Sequence, residues 1–295
     1  MSLKNALTAI WRTICYPLLL FAVQFIVGAA WGMAIGIGVG VVAAQEGRTP
    51  SVEEIELAVV SGMNLPLILL IGSSISLFII WLLLRKEWKG IGFWSGTSLT
   101  ALTIFLCFLI GIPLNRFIGG AIYFTQLTEL FPFHEELMEA LFQGNIIVQI
   151  LATVLLAPIL EEVVFRGTIL RRLKDTSVKF HGANIIQALL FALIHGNVLQ
   201  GIYAFLLGII LGFLYVKFNS IWAPIAMHIG FNAFGALIAN IPIYEDVEAS
   251  NTATLIVTLV SLGLSIILWL IIQKRNDYAD SPEIINPENI SITEA

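Results

Sequence analysis

The sequence predicts an all-α protein, a polytopic membrane helix bundle with about eight transmembrane helices. Of its 295 residues, 58% are hydrophobic and only 12% are charged, whereas a soluble domain typically carries about 25% charged residues. The mean hydropathy is +0.92. Several apolar stretches reach the roughly 20 residues that a membrane-spanning helix needs. These three observations together predict a chain that lies mostly within a bilayer.

The predicted transmembrane segments alternate with short polar connections. They lie at about 16–44, 65–84, 98–118, from 145 onward, 183–195, 201–218, 221–241 and 252–273. The fifth segment is short for a complete crossing. Lys and Arg residues fall on one side of this arrangement and the glutamate-rich loops on the other. The excess of positive charge in cytoplasmic loops therefore predicts that both termini are cytoplasmic, in the cell membrane if the source is prokaryotic.

The chain divides by composition into four regions. Residues 1–144 form N-terminal transmembrane helices and an interfacial segment, and residues 145–241 contain the polar side chains discussed below. Residues 242–275 form the last transmembrane helix. Residues 276–295 are polar, acidic and interrupted by proline, which predicts a disordered tail.

Small residues recur along the first segment, where glycine occupies every fourth position: Gly28, Gly32, Gly36 and Gly40. A stripe of this kind lets a second helix approach closely. The pattern predicts packing inside the bundle, with self-association of two chains as the alternative.

Other features exclude several classes of function. The net charge is −5 and no basic face is present, so we expect no nucleic-acid partner. Cys15 and Cys107 lie in apolar segments without CxxC spacing, which predicts neither a disulfide nor a thiolate metal site. His134 begins a stretch similar to the zinc motif H-E-x-x-H, but Met138 replaces the second histidine. We therefore predict an amphipathic interfacial element there.

Two adjacent carboxylates and one guanidinium interrupt the fourth apolar segment. One charge in hydrocarbon costs at least ~2.5 kcal/mol. Glu162 and Arg166 are four residues apart and can pair on one helix face, whereas Glu161 points about 100° away from Glu162. Pro158 cannot donate a backbone hydrogen bond. The position of this proline predicts a kink or local unwinding of the helix just ahead of Glu161 and Glu162.

Three more polar side chains lie in or beside the later segments. His195 closes the stretch F-A-L-I-H, and His228 and Asn232 stand four residues apart, on one helix face. Keeping all these groups in a membrane is costly unless they share a site. The sequence thus predicts one functional site made by three helices.

The residue types leave several chemistries open. A glutamate and a histidine can hold and deprotonate a water molecule, which is general-base hydrolysis, and the His228–Asn232 pair offers donors for an oxyanion. Alternatively, Glu161, His195 and His228 could be three zinc ligands with an open water position. Glutamate and histidine chains also serve as proton relays in transporters, although the sequence contains no inverted repeat to support a transporter.

The motifs E-E-V-V-F-R, F-A-L-I-H and H-I-G-F-N resemble the E-E-x-x-x-R, F-x-x-x-H and H-x-x-x-N/D motifs of the CPBP intramembrane proteases. That family comprises CAAX prenyl proteases of the Rce1 type, bacteriocin-processing and self-immunity (Abi) proteins, and lysostaphin-resistance relatives. The similar region runs from about residue 145 to residue 240, roughly a third of the chain.

The resemblance implies an endopeptidase that cleaves membrane-anchored or prenylated proteins or peptides. In these terms Glu161 and His195 activate water, His228 and Asn232 form the oxyanion site, and Glu162 with Arg166 is a supporting pair. The family was first described as metal-dependent, but its CAAX-type members resemble metal-independent glutamate proteases. We expect no cofactor, with zinc as the alternative. A non-catalytic immunity scaffold is a further alternative.

Overall fold

The computed structural model describes residues 3–91, 99–174, 178–238 and 251–275, and within these ranges every regular element is helical. We number the helices in chain order. They are α1 (Leu3–Gln45), α2 (Val52–Gly62), α3 (Leu65–Ile91), α4 (Ala101–Thr125), α5 (Leu127–Leu130), α6 (Phe133–Leu141), α7 (Ile146–Lys174), α8 (Phe180–Leu193), α9 (Val198–Phe218), α10 (Trp222–Ile238) and α11 (Asn251–Gln273).

Six of the described helices are long and apolar enough to cross a membrane, namely α1, α3, α4, α7, α9 and α11. The protein is therefore a multi-pass membrane protein, as predicted, but the count of eight crossings is not confirmed. Helix α8 has 14 residues, or about 21 Å at 1.5 Å per residue, which is less than the roughly 30 Å hydrocarbon core. Helix α10 has 17 residues in the described part of the chain. The acidic loop at 245–248 and the predicted tail lie outside the described residues.

The glycine stripe of α1 faces helices of the same chain. A Cβ atom on Gly28 would lie 4.0 Å from Ile68 of α3, and one on Gly36 would lie 3.7 Å from Ile55 of α2. Gly32 likewise faces α2, whereas a Cβ on Gly40 would meet no atom within 4 Å. Packing inside the bundle thus uses most of this stripe, and self-association stays a prediction.

Helix α7 contains two π-helical segments, Ile150–Leu156 and Phe165–Leu170, on either side of the α-helical stretch Ala157–Val164. Pro158 lies in the first turn of that α-helical stretch, directly after the first π segment. A proline at this point leaves a carbonyl of the preceding turn without its usual partner. The predicted local unwinding thus takes the form of a widened helical turn, and α7 continues through it.

Helix α7 lies among α1, α3, α8, α9 and α10. Its apolar side chains fill the centre of one hydrophobic core, with Val163, Phe165 and Ile169 fully buried. At its basic end, Arg171 and Arg172 both donate to the carboxylate of Glu87 on α3. The core and this ion pair fix α7 in the middle of the bundle.

Helix α10 is held against α4 by two glycines. A Cβ on Gly230 would lie 1.9 Å from the carbonyl oxygen of Phe108, and one on Gly111 would lie 2.3 Å from the carbonyl oxygen of Met227. Neither position has room for a side chain, so the two backbones are in direct contact. This contact sets the depth of His228, which lies between Met227 and Gly230.

Candidate active site

Glu162 and Arg166 form the ion pair that their spacing predicts. Arg166 Nη1 donates to Glu162 Oε1 over 2.7 Å, and both side chains are completely buried. Glu161 and Glu162 lie near the middle of α7, about 20 Å from either end of the helix. A charge at that depth needs a partner. The ion pair therefore stabilises two buried charges, and this role is independent of any reaction.

Two further groups surround the guanidinium of Arg166. Its Nη2 atom donates to the carbonyl oxygen of Gly208 on α9 over 3.2 Å. Its Cζ atom lies 4.5 Å from the centre of the Phe191 ring of α8, within the range of a cation–π contact. Arg166 thus joins α7 to both helices of the α8–α9 hairpin.

His228 of α10 lies between the two carboxylates. Its Nδ1 atom is 2.8 Å from Glu162 Oε1, and its Nε2 atom is 3.7 Å from Glu161 Oε2. Because Glu162 in its ionised form can only accept, Nδ1 carries the proton in this hydrogen bond. One imidazole therefore connects both acids, with Nε2 directed at Glu161.

Glu161 differs from Glu162 in its surroundings. Its side chain is 20% exposed, whereas that of Glu162 is fully buried. Within the described part of the chain, no hydrogen bond or ion pair joins Glu161 to His195; its charged neighbour at close range is His228. Of the two adjacent acids, Glu161 is thus the one whose oxygens are available to a reactant.

His195 lies two residues beyond the end of α8, followed by Gly196 with a φ of +63°, a conformation that glycine adopts without strain. Its Nδ1 atom is 2.7 Å from the carbonyl oxygen of Phe191. A carbonyl can only accept, so Nδ1 carries the proton and Nε2 of the neutral ring keeps a free lone pair. The rings of His195 and His228 pack edge-on against Phe191, at 4.9 and 5.8 Å between centroids.

Asn232 is half-buried one turn beyond His228 on α10. Its Nδ2 atom donates to the carbonyl oxygen of Thr153 over 2.8 Å. Thr153 belongs to the first π segment of α7. One amide proton of Asn232 is therefore used for packing, and the second is available for another acceptor.

The zinc alternative built from Glu161, His195 and His228 stays a prediction. Within the described ranges, no three His, Cys, Asp or Glu side chains form a group that could hold a metal ion. His134, the histidine of the partial zinc motif, packs edge-on against Tyr203 instead.

An apolar groove opens beside the first half of α7. It has a volume of about 470 Å³, and side chains of α3 line it together with Leu156 of α7. The lining residues on α3 are Ser74, Leu77, Phe78, Trp81 and Trp88. The groove ends five residues before Glu161 in the sequence.

Comparison with known proteins finds a described family that this part of the chain resembles. Residues 143–234 match the family model "Type II CAAX prenyl endopeptidase Rce1-like". This part of the chain, which we call the Rce1-like region, is similar to that family. The predicted resemblance is thereby confirmed, and the Rce1-like region contains all six predicted site residues, from Glu161 to Asn232.

A curated relative of the Rce1-like region is "Putative membrane peptidase YdiL" of Bacillus subtilis (strain 168). The two sequences are 28% identical over 103 residues, which is 35% of this chain and 42% of the relative. The match thus spans less than half of the relative's length. No solved structure matches the chain. The N-terminal helices α1 to α6 lie outside the Rce1-like region.

The sequence reading missed two buried amides close to Arg166. Asn184 and Gln187 lie on α8 and are 5% and 0% exposed. A signal for them was present: their spacing from Phe191 and His195 (positions 184, 187, 191 and 195) places all four on one face of a helix.

Proposed function

We propose that this protein is an intramembrane endopeptidase that hydrolyses peptide bonds of membrane-associated proteins or peptides. The observation that carries the proposal is the cluster that Glu161, Glu162 and Arg166, in the middle of the membrane-spanning helix α7, form with His228 of α10 within the Rce1-like region. The name of the related protein, "Putative membrane peptidase YdiL", supports the same class of reaction.

The charges of the cluster balance when His228 carries a second proton. Glu161 and Glu162 then contribute two negative charges, and Arg166 and His228 two positive charges. A neutral cluster is the arrangement that a low-dielectric site tolerates best. Glu162, which accepts from both Arg166 and His228, holds the imidazolium in place. Glu161 remains as the carboxylate that can act as a base.

In the first step Glu161 takes a proton from water, and the hydroxide forms a bond to the carbonyl carbon of the substrate. Two atoms 3.7 Å apart, such as His228 Nε2 and Glu161 Oε2, can both hydrogen-bond one water molecule. The free Nε2 lone pair of His195 is suited to accept a hydrogen bond from the second O–H group of that water. The hydroxide is thus oriented without a metal in this proposal.

As this bond forms, the π bond of the carbonyl group breaks and the negative charge moves to the carbonyl oxygen. The Nε2–H group of His228, which is released from the water as the hydroxide bonds to carbon, and the second amide proton of Asn232 donate to this oxyanion. Glu161 then gives its proton to the leaving nitrogen, the C–N bond breaks, and a carboxylic acid and an amine leave. The protonation of Glu161 and the charge of the oxyanion cancel, so the cluster stays neutral throughout.

We further propose that the substrate is a membrane-anchored or prenylated chain that enters from the cytoplasmic side. The apolar groove along α3 is suited to a lipid tail, because it is lined almost entirely by apolar and aromatic side chains. The basic run at the end of α7, which includes Arg171, Arg172 and Lys174, lies on the side where we place the cytoplasm.

The test is proteolysis by the purified protein in detergent or nanodiscs, with a peptide library that includes C-terminally prenylated members. We expect cleavage by the wild type and none by Glu161→Gln, because the amide cannot accept the proton of water. Glu136→Gln, an exposed glutamate on α6, is the matched control and should keep full activity. Normal turnover by Glu161→Gln would refute the assignment of the base.

A further inference from the structure

Two amide side chains of α8 donate hydrogen bonds to the backbone of α9 inside the bundle. Gln187 Nε2 donates to the carbonyl oxygen of Gly208 over 2.8 Å, and Asn184 Nδ2 donates to the carbonyl oxygen of Ile209 over 3.0 Å. Gln187 Nε2 also donates to Asn184 Oδ1 over 2.8 Å. The two amides are therefore hydrogen-bonded to successive carbonyl groups of α9 and to each other.

Glycines on α9 make this contact sterically feasible. A Cβ atom on Gly212 would lie 1.9 Å from Asn184 Oδ1, and one on Gly208 would lie 3.0 Å from the Cβ of Ala188. Any side chain at position 212 would displace Asn184. The two helices consequently approach closely enough for side-chain amides to reach carbonyls that already belong to a helical ladder.

The carbonyl oxygen of Gly208 has a second partner, since Arg166 Nη2 donates to it over 3.2 Å. Gln187 and Arg166, both completely buried, thus share one acceptor. A guanidinium has donors in a rigid planar fork, so fixing one arm fixes the direction of the other. The other arm is the one that donates to Glu162.

We propose that Asn184 and Gln187 are positioning residues of the active site. They fix the Gly208 carbonyl, which orients Arg166, which in turn holds Glu162 against His228. The α8–α9 hairpin is then part of the catalytic machinery through its backbone. This inference depends on the proposed peptidase function for its kinetic consequence, whereas its structural part concerns only the coupling of Gln187 to Arg166.

The central variant is Gln187→Met, which keeps the length of an unbranched side chain and removes the donor. We expect kcat to fall about 10–100-fold, by analogy with other supporting-shell substitutions, with KM unchanged because no substrate contact is lost. The matched control is Gln24→Met, which removes another membrane-embedded glutamine, whose Nε2 donates to Ser73 Oγ between α1 and α3. The control should keep its kcat.

A double-mutant cycle with Arg166→Lys separates positioning from general destabilisation. Lysine keeps the positive charge near Glu162 but lacks the planar fork. If Gln187 acts through Arg166, Gln187→Met should reduce kcat much less in the Arg166→Lys background than in the wild type. The same four proteins are also compared by thermal unfolding, which needs no substrate. If Gln187→Met does not fold, Asn184→Leu takes its place.

The outcomes distinguish the two ideas. Loss of kcat in Gln187→Met, with non-additivity in both kcat and unfolding temperature, is the expected result. Wild-type kcat in Gln187→Met, together with inactivity of Glu161→Gln, would overturn the positioning role and leave the peptidase proposal intact. If the wild type cleaves nothing, the proposed function fails, and additive unfolding temperatures would then overturn the coupling as well.

Discussion

The ion pair between Arg166 and Glu162 permits a quantitative prediction about stability. In Arg166→Met the fully buried carboxylate of Glu162 loses its 2.7 Å partner, and the contacts of the guanidinium with Gly208 and Phe191 are lost as well. Breaking a buried pair by removing one member typically costs about 3–5 kcal/mol, because the other charge stays buried. For chains somewhat smaller than this one, 1 kcal/mol corresponds to about 2–4 °C, so we expect Tm to fall by roughly 10 °C.

The double variant Arg166→Met/Glu162→Gln tests the reason for this loss. Neutralising the stranded carboxylate removes the main penalty, since replacing both members of a buried pair is often nearly neutral. We therefore expect the double variant to be more stable than Arg166→Met alone. Arg48→Met is the control, because Arg48 pairs with Glu54 at an exposed position, where ion pairs contribute little.

The assay is thermal unfolding of the three variants and the wild type in one detergent, followed by intrinsic fluorescence. A fall in Tm for Arg166→Met no larger than that for Arg48→Met would refute the reasoning. So would a double variant that is less stable than Arg166→Met, because Glu162 would then not be the source of the penalty.

Three further predictions concern topology, metal dependence and pH. Cysteines introduced at Glu53 and Lys86 should label from opposite sides of the membrane, and labelling from one side would contradict the predicted topology. Asn232→Ala should lower kcat by about 10²–10³-fold, and added zinc should not restore it; restoration, or stoichiometric zinc in the active wild type, would instead favour the zinc-dependent peptidase. Burial lowers the pKa of His134 below its ordinary value. As the pH falls, the imidazole is therefore protonated in the unfolded state before it is protonated in the folded state, and stability should be lost below about pH 6.5. Replacing His134 with Phe, which keeps an aromatic ring against Tyr203, should flatten the dependence of Tm on pH between about 7.5 and 5.

The sequence predicted the fold class and the main ion pair because both depend on local features. Apolar length determines which segments enter a membrane, and the i,i+4 spacing determines that Glu162 and Arg166 can meet. The grouping of His228 with the two acids was predicted from cost alone, because isolated polar groups in a bilayer are rarely retained. The structure brings these residues together on α7 and α10.

Other features depend on tertiary geometry that spacing does not encode. Glu161 was paired with His195 by resemblance, whereas its nearest charged neighbour is His228, because the contact between α4 and α10 sets the depth of that histidine. The count of crossings depended on the ends of α8 and α10, which composition defines poorly. Asn184 and Gln187 were overlooked since an amide in an apolar helix carries no charge and draws less attention than an acid.

The π-helical segments of α7 make the length of that helix a determinant of the site. One residue corresponds to about 100° of rotation on an α-helix, and a π turn accommodates a residue more than an α turn does. Deleting one residue between Ile150 and Leu156 could convert the segment to a regular α-helix, but it would change the register between Asn145, which caps the start of α7, and Glu161. Insertions and deletions in this short stretch are therefore more consequential than most substitutions there, and any alignment of distant relatives has to preserve the number of residues it contains.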